Sequence, residues 1–249
     1  MIFTLGGQAT ECPFGDGALG GQTSVCKAGQ MSLADVWPLF RLRVTSPTVR
    51  LVVPGETELA VLAGLAADGV YDPQNRFLAR SPVAGWDGGE SPQAELSFLR
   101  YYWASLADWS PQRWNLLFAV FSGEECVGVQ EIGAQDFALT RTVSTGSWLA
   151  AEYQGRGLGR EMRAAVLQLA FELGADRAES AVWSDNGPSL GVSRALGYRS
   201  NGATVRAYRG RRLEQVNLVL DRSDWAQRLD ITVTGLDPAT RDLLGVGSL

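Results

Sequence analysis

The sequence predicts an α/β fold in which a mixed central sheet is flanked by helices on both faces. Stretches with the two-residue period of strands alternate along the chain with stretches that have the 3.6-residue period of helices. The resulting order, β α α β β β α β α β β, is typical of a mixed sheet. With 249 residues, of which 45% are hydrophobic, the chain can bury a sizeable core.

The first half of the chain contributes four strands and two helices. Pro54 and Gly55 separate the first strand from the first helix. The second helix has an apolar stripe that includes Leu96 and Trp103, and a Gly- and Pro-rich segment, 69–92, precedes it as a long loop. The predicted elements are the strand 48–53, the helices 56–67 and 93–108, and the strands 114–121, 126–133 and 143–150.

The second half begins with a glycine-rich loop that leads directly into a helix. Met162, Val166, Leu169 and Leu173 form one face of this helix, and Gly174 is a suitable left-handed stop. The elements predicted after it are a strand at 178–183, a short helix from Pro188 to Gly197, and a hairpin with arms 203–209 and 212–220.

Three segments follow from this pattern. Residues 1–47 are a glycine-rich N-terminal extension that we expect to be poorly ordered at its start, with Met31 as an alternative first residue. Residues 48–222 hold the main domain, and residues 223–249 form a C-terminal appendage.

Composition excludes several classes of function. The net charge of −5 argues against a nucleic-acid partner, which needs clustered Lys and Arg, and favours a cationic small substrate. The chain has no histidine, which excludes an imidazole base or metal ligand. Cys12, Cys26 and Cys126 lack metal-ligand spacing, so we expect no metal site and reduced thiols.

Membrane and secretory signals are also absent from the sequence. No apolar run approaches the roughly 18 residues of a membrane span, and the N-terminus lacks the pattern of a signal peptide. We therefore expect a cytoplasmic protein that does not associate with membranes, as a monomer or a homodimer.

Residues 154–159, QGRGLG, predict a phosphate-binding loop. The first N–H groups of a helix have no intrahelical partner, and glycines allow the backbone to form a concave anion site. A Walker A loop would need a lysine here, but Lys27 is the only lysine. In a dinucleotide fingerprint, the third glycine would fall on Arg160, so that interpretation is disfavoured.

The remaining pattern, Q-x-x-G-x-G, is formed by Gln154, Gly157 and Gly159. A second pattern, N-x-x-S-x(7)-G-[FY], lies downstream and includes Asn186 and Ser189. With both patterns, residues 48–222 resemble the GNAT superfamily of acyl-CoA-dependent N-acyltransferases, and most closely its ribosomal-protein alanine acetyltransferase-like subgroup.

The resemblance implies the GNAT fold and acetyl-CoA as the acyl-donor co-substrate. It implies that the loop binds the coenzyme A pyrophosphate through backbone amides, and that the strand before the loop splays from its neighbour and pairs with the pantetheine arm. The cofactor-binding residues implied are Trp148, Leu149, Gln154, Gly155, Arg156, Gly157, Leu158, Gly159, Arg160, Asn186, Ser189 and Ser193.

The implied activity is N-acetyl transfer to a primary amine of a small molecule or a protein N-terminus, directly through a ternary complex. The alternative is a non-catalytic acyl-CoA-binding or sensing module. Glu131 is the first candidate for the general base, because it is an acidic residue in an apolar strand; Glu179 and Asp136 are weaker candidates. The subgroup's usual acidic position is Ser144 here, which departs from its pattern.

The acid that protonates the leaving thiolate is less well defined. Ser193 stands where many members of the superfamily have a tyrosine, and Ser189 is the candidate that the subgroup implies. Arg163 either meets the coenzyme's phosphates or is a solvated helix charge. Three tryptophans either line the acceptor pocket or belong to the core, namely Trp86, Trp103 and Trp148.

Overall fold

The structure is a computed structural model that describes residues 31–69, 91–208, 211–226 and 229–247. The chain divides into two units, Met1–Ser32 and Leu33–Leu249, and every strand and helix described belongs to the second. The expected disorder of residues 1–30, most of the predicted loop 69–92, and Trp86 lie outside the described residues.

Nine strands of the described residues form one mixed sheet in the order β7-β8-β6-β5-β4-β3-β2-β1-β9. All neighbouring strands are antiparallel except β5 and β6, which are parallel. The strands are β1 (Arg43–Thr45), β2 (Val49–Val52), β3 (Arg113–Ser122), β4 (Glu125–Gln135), β5 (Thr142–Leu149), β6 (Arg177–Trp183), β7 (Arg199–Tyr208), β8 (Arg211–Asp221) and β9 (Thr232–Thr234).

Seven α-helices of the described residues connect or cover these strands. They are α1 (Leu33–Val36), α2 (Glu56–Asp68), α3 (Gln93–Ala107), α4 (Phe137–Thr140), α5 (Leu158–Leu173), α6 (Gly187–Ala195) and α7 (Pro238–Leu243). Short 3-10 turns occupy Pro38–Arg41, Ala151–Tyr153 and Arg222–Asp224. None of these described helices has the length and apolar character needed to cross a membrane.

Helices cover both faces of the sheet, as predicted. On one face, α5 buries Val166 and Leu169 against strand residues such as Phe118. On the other face, α2 and α3 bury Leu62 and Phe98 in a second core. Strand residues alternate between these two cores, as the pleat requires.

All predicted strands and helices in the described residues are present, with small shifts at their ends; the largest is in β7, which begins at Arg199 rather than at residue 203. The strands β1 and β9 were not predicted. They pair with each other through Val44 and Val233, and they lie in the segments assigned to the N-terminal extension and the C-terminal appendage. Three-residue strands are too short to show a two-residue period, which explains the omission.

Candidate active site

The parallel strands β5 and β6 separate after a short paired stretch. Their register covers only Thr142 to Ser144 on β5, opposite Arg177 to Glu179 on β6. Beyond this point each strand continues without the other, and a gap opens between them. The splay that the resemblance implies therefore begins directly after Ser144.

The backbone of Leu149 faces this gap. The Ala150 N–H donates to the Val127 carbonyl of β4 at 2.9 Å. Because successive N–H groups of a strand point in opposite directions, the Leu149 N–H faces away from β4. The Leu149 carbonyl accepts a hydrogen bond from Gln154 Nε2 at 2.9 Å, which fastens the glycine loop to the end of β5.

The glycine loop needs glycine for its backbone conformation. Gly155 and Gly157 have φ values of 74° and 86°, in the left-handed region. A Cβ on either residue would meet no atom within 4 Å, so lack of space is not the reason. No side chain among the described residues caps the start of α5, so the first N–H groups of this helix have no side-chain acceptor.

Beside the gap lies a cleft of about 780 Å³ that receives side chains from both faces of the sheet. Its size is in the range of small-molecule sites. Most of the side chains that reach it are polar, and it brings together predicted residues that lie far apart in the sequence. These are Glu131 on β4, Glu179 on β6, and Asn186 and Ser189 at the start of α6.

Glu131 is 5% exposed, and it does not form a salt bridge among the described residues. Its Oε2 accepts a hydrogen bond from the Tyr101 hydroxyl at 2.9 Å, while its buried Oε1 has no hydrogen-bond partner in the described residues. A Cβ at Gly146, opposite Glu131, would lie 3.4 Å from Oε2, so glycine leaves the carboxyl uncovered.

Burial determines the protonation of Glu131. It raises the pKa of this carboxyl from 4.5 to about 7, although the hydrogen bond from Tyr101 and the nearby Asn115 amide lower it. Burial and the neighbouring carboxylate raise the pKa of Tyr101 well above its usual range, so this hydroxyl remains a donor. The cleft thus holds a carboxyl that titrates near neutral pH.

The two predicted serines of α6 differ in access to the cleft. Ser189 lines it, and the Ser189 N–H donates to Asn186 Oδ1 at 3.1 Å as a helix cap. Ser193 is fully buried and donates to the Ser189 carbonyl at 3.1 Å. Its predicted contact with the cofactor is therefore not supported, because the helix backbone takes its hydroxyl.

The predicted arginines occupy three different environments. Arg156 is exposed, with its guanidinium 5.3 Å from the centre of the Tyr153 ring. Arg160 is also exposed and borders a separate cavity of about 480 Å³. Arg163 is only 4% exposed and points to the sheet, so it is not the solvated helix charge offered as one interpretation, and its contacts with Ser147 and Ser180 do not support phosphate contact.

The remaining candidates are distributed as follows. Trp148 is 5% exposed and packs edge-on against Phe98 in the core, whereas Trp103 is 53% exposed; neither borders the cleft. Asp136 precedes α4 and is also remote from the cleft, while Ser144 borders it. Leu158 is buried at the start of α5, which leaves only its backbone for a ligand.

Sequence reasoning missed two residues that define the site. Tyr101 on α3 donates to Glu131, and Asn115 on β3 donates from Nδ2 to the Tyr101 hydroxyl at 3.2 Å. The available signal was Asn115, a polar residue within the apolar run WNLLFAVF. Tyr101 gave no such signal, since a tyrosine in an amphipathic helix is ordinary.

Residues 71–199 match the family model of the acetyltransferase (GNAT) domain, which is more than half of the chain. The chain belongs to the GNAT family. It is therefore an acyl-CoA-dependent acetyltransferase by family, with acetyl-CoA as the co-substrate. The glycine loop is the part of this GNAT domain that the sequence pattern predicted, and the splayed strands are the part that the resemblance implied.

Solved structures share the fold of this GNAT domain at low sequence identity. RimJ from Mycobacterium smegmatis, in complex with CoA-disulfide, is 22% identical with a TM-score of 0.60, over 75% of this chain and 88% of RimJ. The microcin C7 self-immunity acetyltransferase MccE, in complex with acetyl-CoA and AMP, is 17% identical with a TM-score of 0.55, over 71% and 93%. The ribosomal L7/L12 acetyltransferase RimL, in complex with coenzyme A, is 15% identical with a TM-score of 0.54, over 71% and 95%.

Proposed function

We propose that this GNAT domain transfers the acetyl group of acetyl-CoA directly to a primary amine of a small molecule or a protein N-terminus, with Glu131 accepting the amine's proton. The observation that carries the assignment is the Glu131 carboxyl itself. It is buried beside the cleft, it leaves Oε1 unpartnered among the described residues, and its pKa is about 7.

The chemistry needs a neutral amine and a stabilised oxyanion. A base is most effective when its pKa lies near the working pH, and Glu131 meets this condition. The Leu149 N–H, which faces the gap, is a suitable donor to the oxyanion. Positioning of the two substrates supplies much of the remaining rate enhancement.

The donor is proposed to bind along the gap and at the start of α5. Support comes from the uncapped N–H groups of that helix and from the left-handed glycines that shape the loop. The residues proposed to contact it are Trp148 and Leu149 through their backbone, residues 154–160 of the loop and helix start, Asn186 and Ser189. RimJ, RimL and MccE, which share this fold, were all solved with coenzyme A or a derivative of it.

The proposal includes an amine rather than a nucleic acid as the acceptor, and a cytoplasmic location. A net charge of −5 is unfavourable for binding a phosphate backbone.

The proposed location rests on the cysteines. Of the three cysteines, Cys126 is free, and the other two lie outside the described residues. A free thiol suits a reducing compartment.

A thiol-release assay tests the assignment. The purified protein is incubated with acetyl-CoA and a panel of amines that covers peptide N-termini, amino acids, polyamines and aminoglycosides. On the best acceptor, we expect Glu131→Gln to lower kcat by roughly 10²- to 10⁴-fold, as loss of a general base does. The acidic limb of wild-type kcat/KM should titrate near pH 7 and vanish in the variant.

Glu172→Gln is the matched control, because Glu172 is an exposed residue of α5 that accepts a hydrogen bond from Gln168 at 2.8 Å. Calorimetry with acetyl-CoA separates binding from catalysis. If Glu179→Gln loses activity while Glu131→Gln keeps it, the base is assigned wrongly. Tight binding of acetyl-CoA without thiol release for any amine would instead identify a binding or sensing module.

A further inference from the structure

Arg163 is a buried cation at the point where β5 and β6 separate. It lies in the middle of α5, faces the sheet, and is 4% exposed. Its Nη2 donates to Ser147 Oγ on β5 at 2.8 Å, and its Nη1 lies 3.5 Å from Ser180 Oγ on β6. The guanidinium therefore bridges the two strands just beyond their last paired residues.

This guanidinium has no anionic partner among the described residues. Arg163 is in none of their ion pairs, and its buried Nε has no hydrogen-bond acceptor. The nearby Glu161 is already engaged with Ser46 and Thr48. A buried charge is costly without a counter-charge, and an arginine does not escape the cost by deprotonation.

The proposed reaction generates a negative charge that could serve as the counter-charge of Arg163. Arg163 borders the same cleft as Glu131 and Ser189. When the amine nitrogen bonds to the thioester carbon, Glu131 accepts the amine proton. The carbon–sulfur bond then breaks, and its electron pair remains on sulfur as a thiolate. This step rests on the proposed function.

Among the described residues beside the gap, neither predicted serine is an effective acid for that sulfur. Ser193 is buried and bonded to the helix backbone, and Ser189 is an ordinary serine, which is a very poor acid. The Tyr198 hydroxyl lies 3.3 Å from Thr145 Oγ1, and burial raises the pKa of Tyr198 despite the nearby Arg163. In the proposed step the sulfur leaves as an anion, and Glu131 keeps the amine proton until the products are released.

We propose that Arg163 stabilises the departing coenzyme A thiolate by placing an unpaired, buried guanidinium beneath the gap between β5 and β6. The thiolate takes its proton from solvent after release, and Glu131 returns its proton to solvent. Arg163 thus stabilises the leaving sulfur by its positive charge, whereas a proton donor would stabilise it by transferring a proton.

Equilibrium binding tests this without turnover. Calorimetry measures the affinity of the wild-type protein for coenzyme A and for desulfo-coenzyme A, which lacks the sulfur, between about pH 7 and pH 9. We expect the preference for coenzyme A to rise by about tenfold or more over this range, because a stabilised thiolate binds in place of the thiol. Arg163→Gln should remove the rise, and Arg163→Lys should restore part of it.

The neighbouring charged groups do not produce the same rise with pH in the preference for coenzyme A over desulfo-coenzyme A. Glu131 and Glu179 face the cleft from β4 and β6, and their ionisation would disfavour a second negative charge. Tyr198 stays protonated in this range because its pKa is raised. Arg206 on β7 also borders the cleft but is exposed, so Arg206→Gln is the matched control that should keep the slope.

The outcomes separate the hypotheses. A preference that does not change with pH in the wild type, or one that persists in Arg163→Gln, would overturn the role of Arg163. If Arg163→Gln does not fold, the wild-type and Arg163→Lys profiles decide the question. If neither nucleotide binds the wild type, then the acetyl-CoA assignment fails, which is a different result.

Discussion

At the scale of single residues, Tyr101 affects the ionisation of the proposed base, Glu131. Its hydroxyl donates to Glu131 Oε2 at 2.9 Å, and this bond favours the ionised carboxylate. Asn115 in turn donates to the same hydroxyl, which orients it toward Glu131. The three side chains form a hydrogen-bonded chain from β3 through α3 to β4.

Tyr101→Phe should raise the pKa of Glu131 above its value of about 7, because the ionised form loses a donor while the carboxyl stays buried. The base must be ionised to act, so the acidic limb of the kcat/KM profile should move to higher pH. Steady-state rates from about pH 5 to pH 9 measure the shift.

The adjacent Tyr102 provides the control for this substitution. Its hydroxyl contacts the Pro54 carbonyl at 3.3 Å rather than the cleft, so Tyr102→Phe should leave the limb in place. An acidic limb that stays fixed or moves to lower pH in Tyr101→Phe would contradict the proposed link to Glu131.

At the scale of elements, Glu161 fastens the turn between β1 and β2 to the first turn of α5. Its Oε1 accepts from the Thr48 N–H at 2.6 Å and from Ser46 Oγ at 2.7 Å, and its Oε2 accepts from Thr48 Oγ1 at 2.6 Å. A carboxylate also interacts favourably with the N-terminus of a helix. Burial alone would raise the pKa of Glu161, but these hydrogen bonds lower it.

Glu161→Gln should lower the free energy of unfolding by roughly 1–2 kcal/mol at pH 7, the scale of lost hydrogen bonds to a charged group. A lowered pKa means that this contribution is present above the unfolded value of 4.5 and is lost as the pH falls through the folded value. Urea unfolding at pH 7 and near pH 3 measures the difference, which should shrink at the lower pH.

Glu172→Gln, on the exposed side of the same helix, should change stability little at either pH. An equal loss for Glu161→Gln at both pH values would mean that the charge of Glu161 does not contribute to the contact.

The sequence also predicted much of α5, but not all of its surroundings. The predicted apolar residues Met162, Val166, Leu169 and Leu173 are all buried, as their spacing indicates. Eleven of the sixteen residues of α5 are buried, however, so more than one face of this helix is packed against the rest of the protein. Periodicity assigns a polar residue such as Arg163 to the surface, whereas it is buried against β5 and β6.

At the scale of the whole molecule, the C-terminal segment closes one end of the sheet. The strand β9 pairs with β1, and two tryptophan side chains are anchored by the residues that follow it. Trp109 Nε1 donates to the Leu243 carbonyl at 2.9 Å, and Trp114 Nε1 donates to the Leu244 carbonyl at 3.0 Å. Leu244 is fully buried in the larger core.

Leu244→Ala should cost about 2–5 kcal/mol of unfolding free energy, because it leaves a cavity in a closely packed core. Leu139→Ala is the matched control: Leu139 is 83% exposed, and its truncation should change stability by about 0.5 kcal/mol or less. Urea unfolding at pH 7 gives both values. Equal effects would show that residues 238–247 are not part of the stable core.

The sequence by itself determined the mixed α/β order, the glycine loop and the family. These features depend on local properties, namely the period of apolar residues and the exact spacing of Gln154, Gly157, Gly159, Asn186 and Ser189. The resemblance also supplied the splay of the strand before the loop, and the structure places its start after Ser144.

Only the tertiary structure decided the chemistry of the cleft. Tyr101, Glu131 and Arg163 are distant in sequence. Which of them meet is set by which strands neighbour each other and which helices cover those strands. The ionisation of a carboxyl and the partners of a guanidinium depend on burial and on groups brought near by folding. These quantities belong to the assembled sheet, and no local pattern in the chain encodes them.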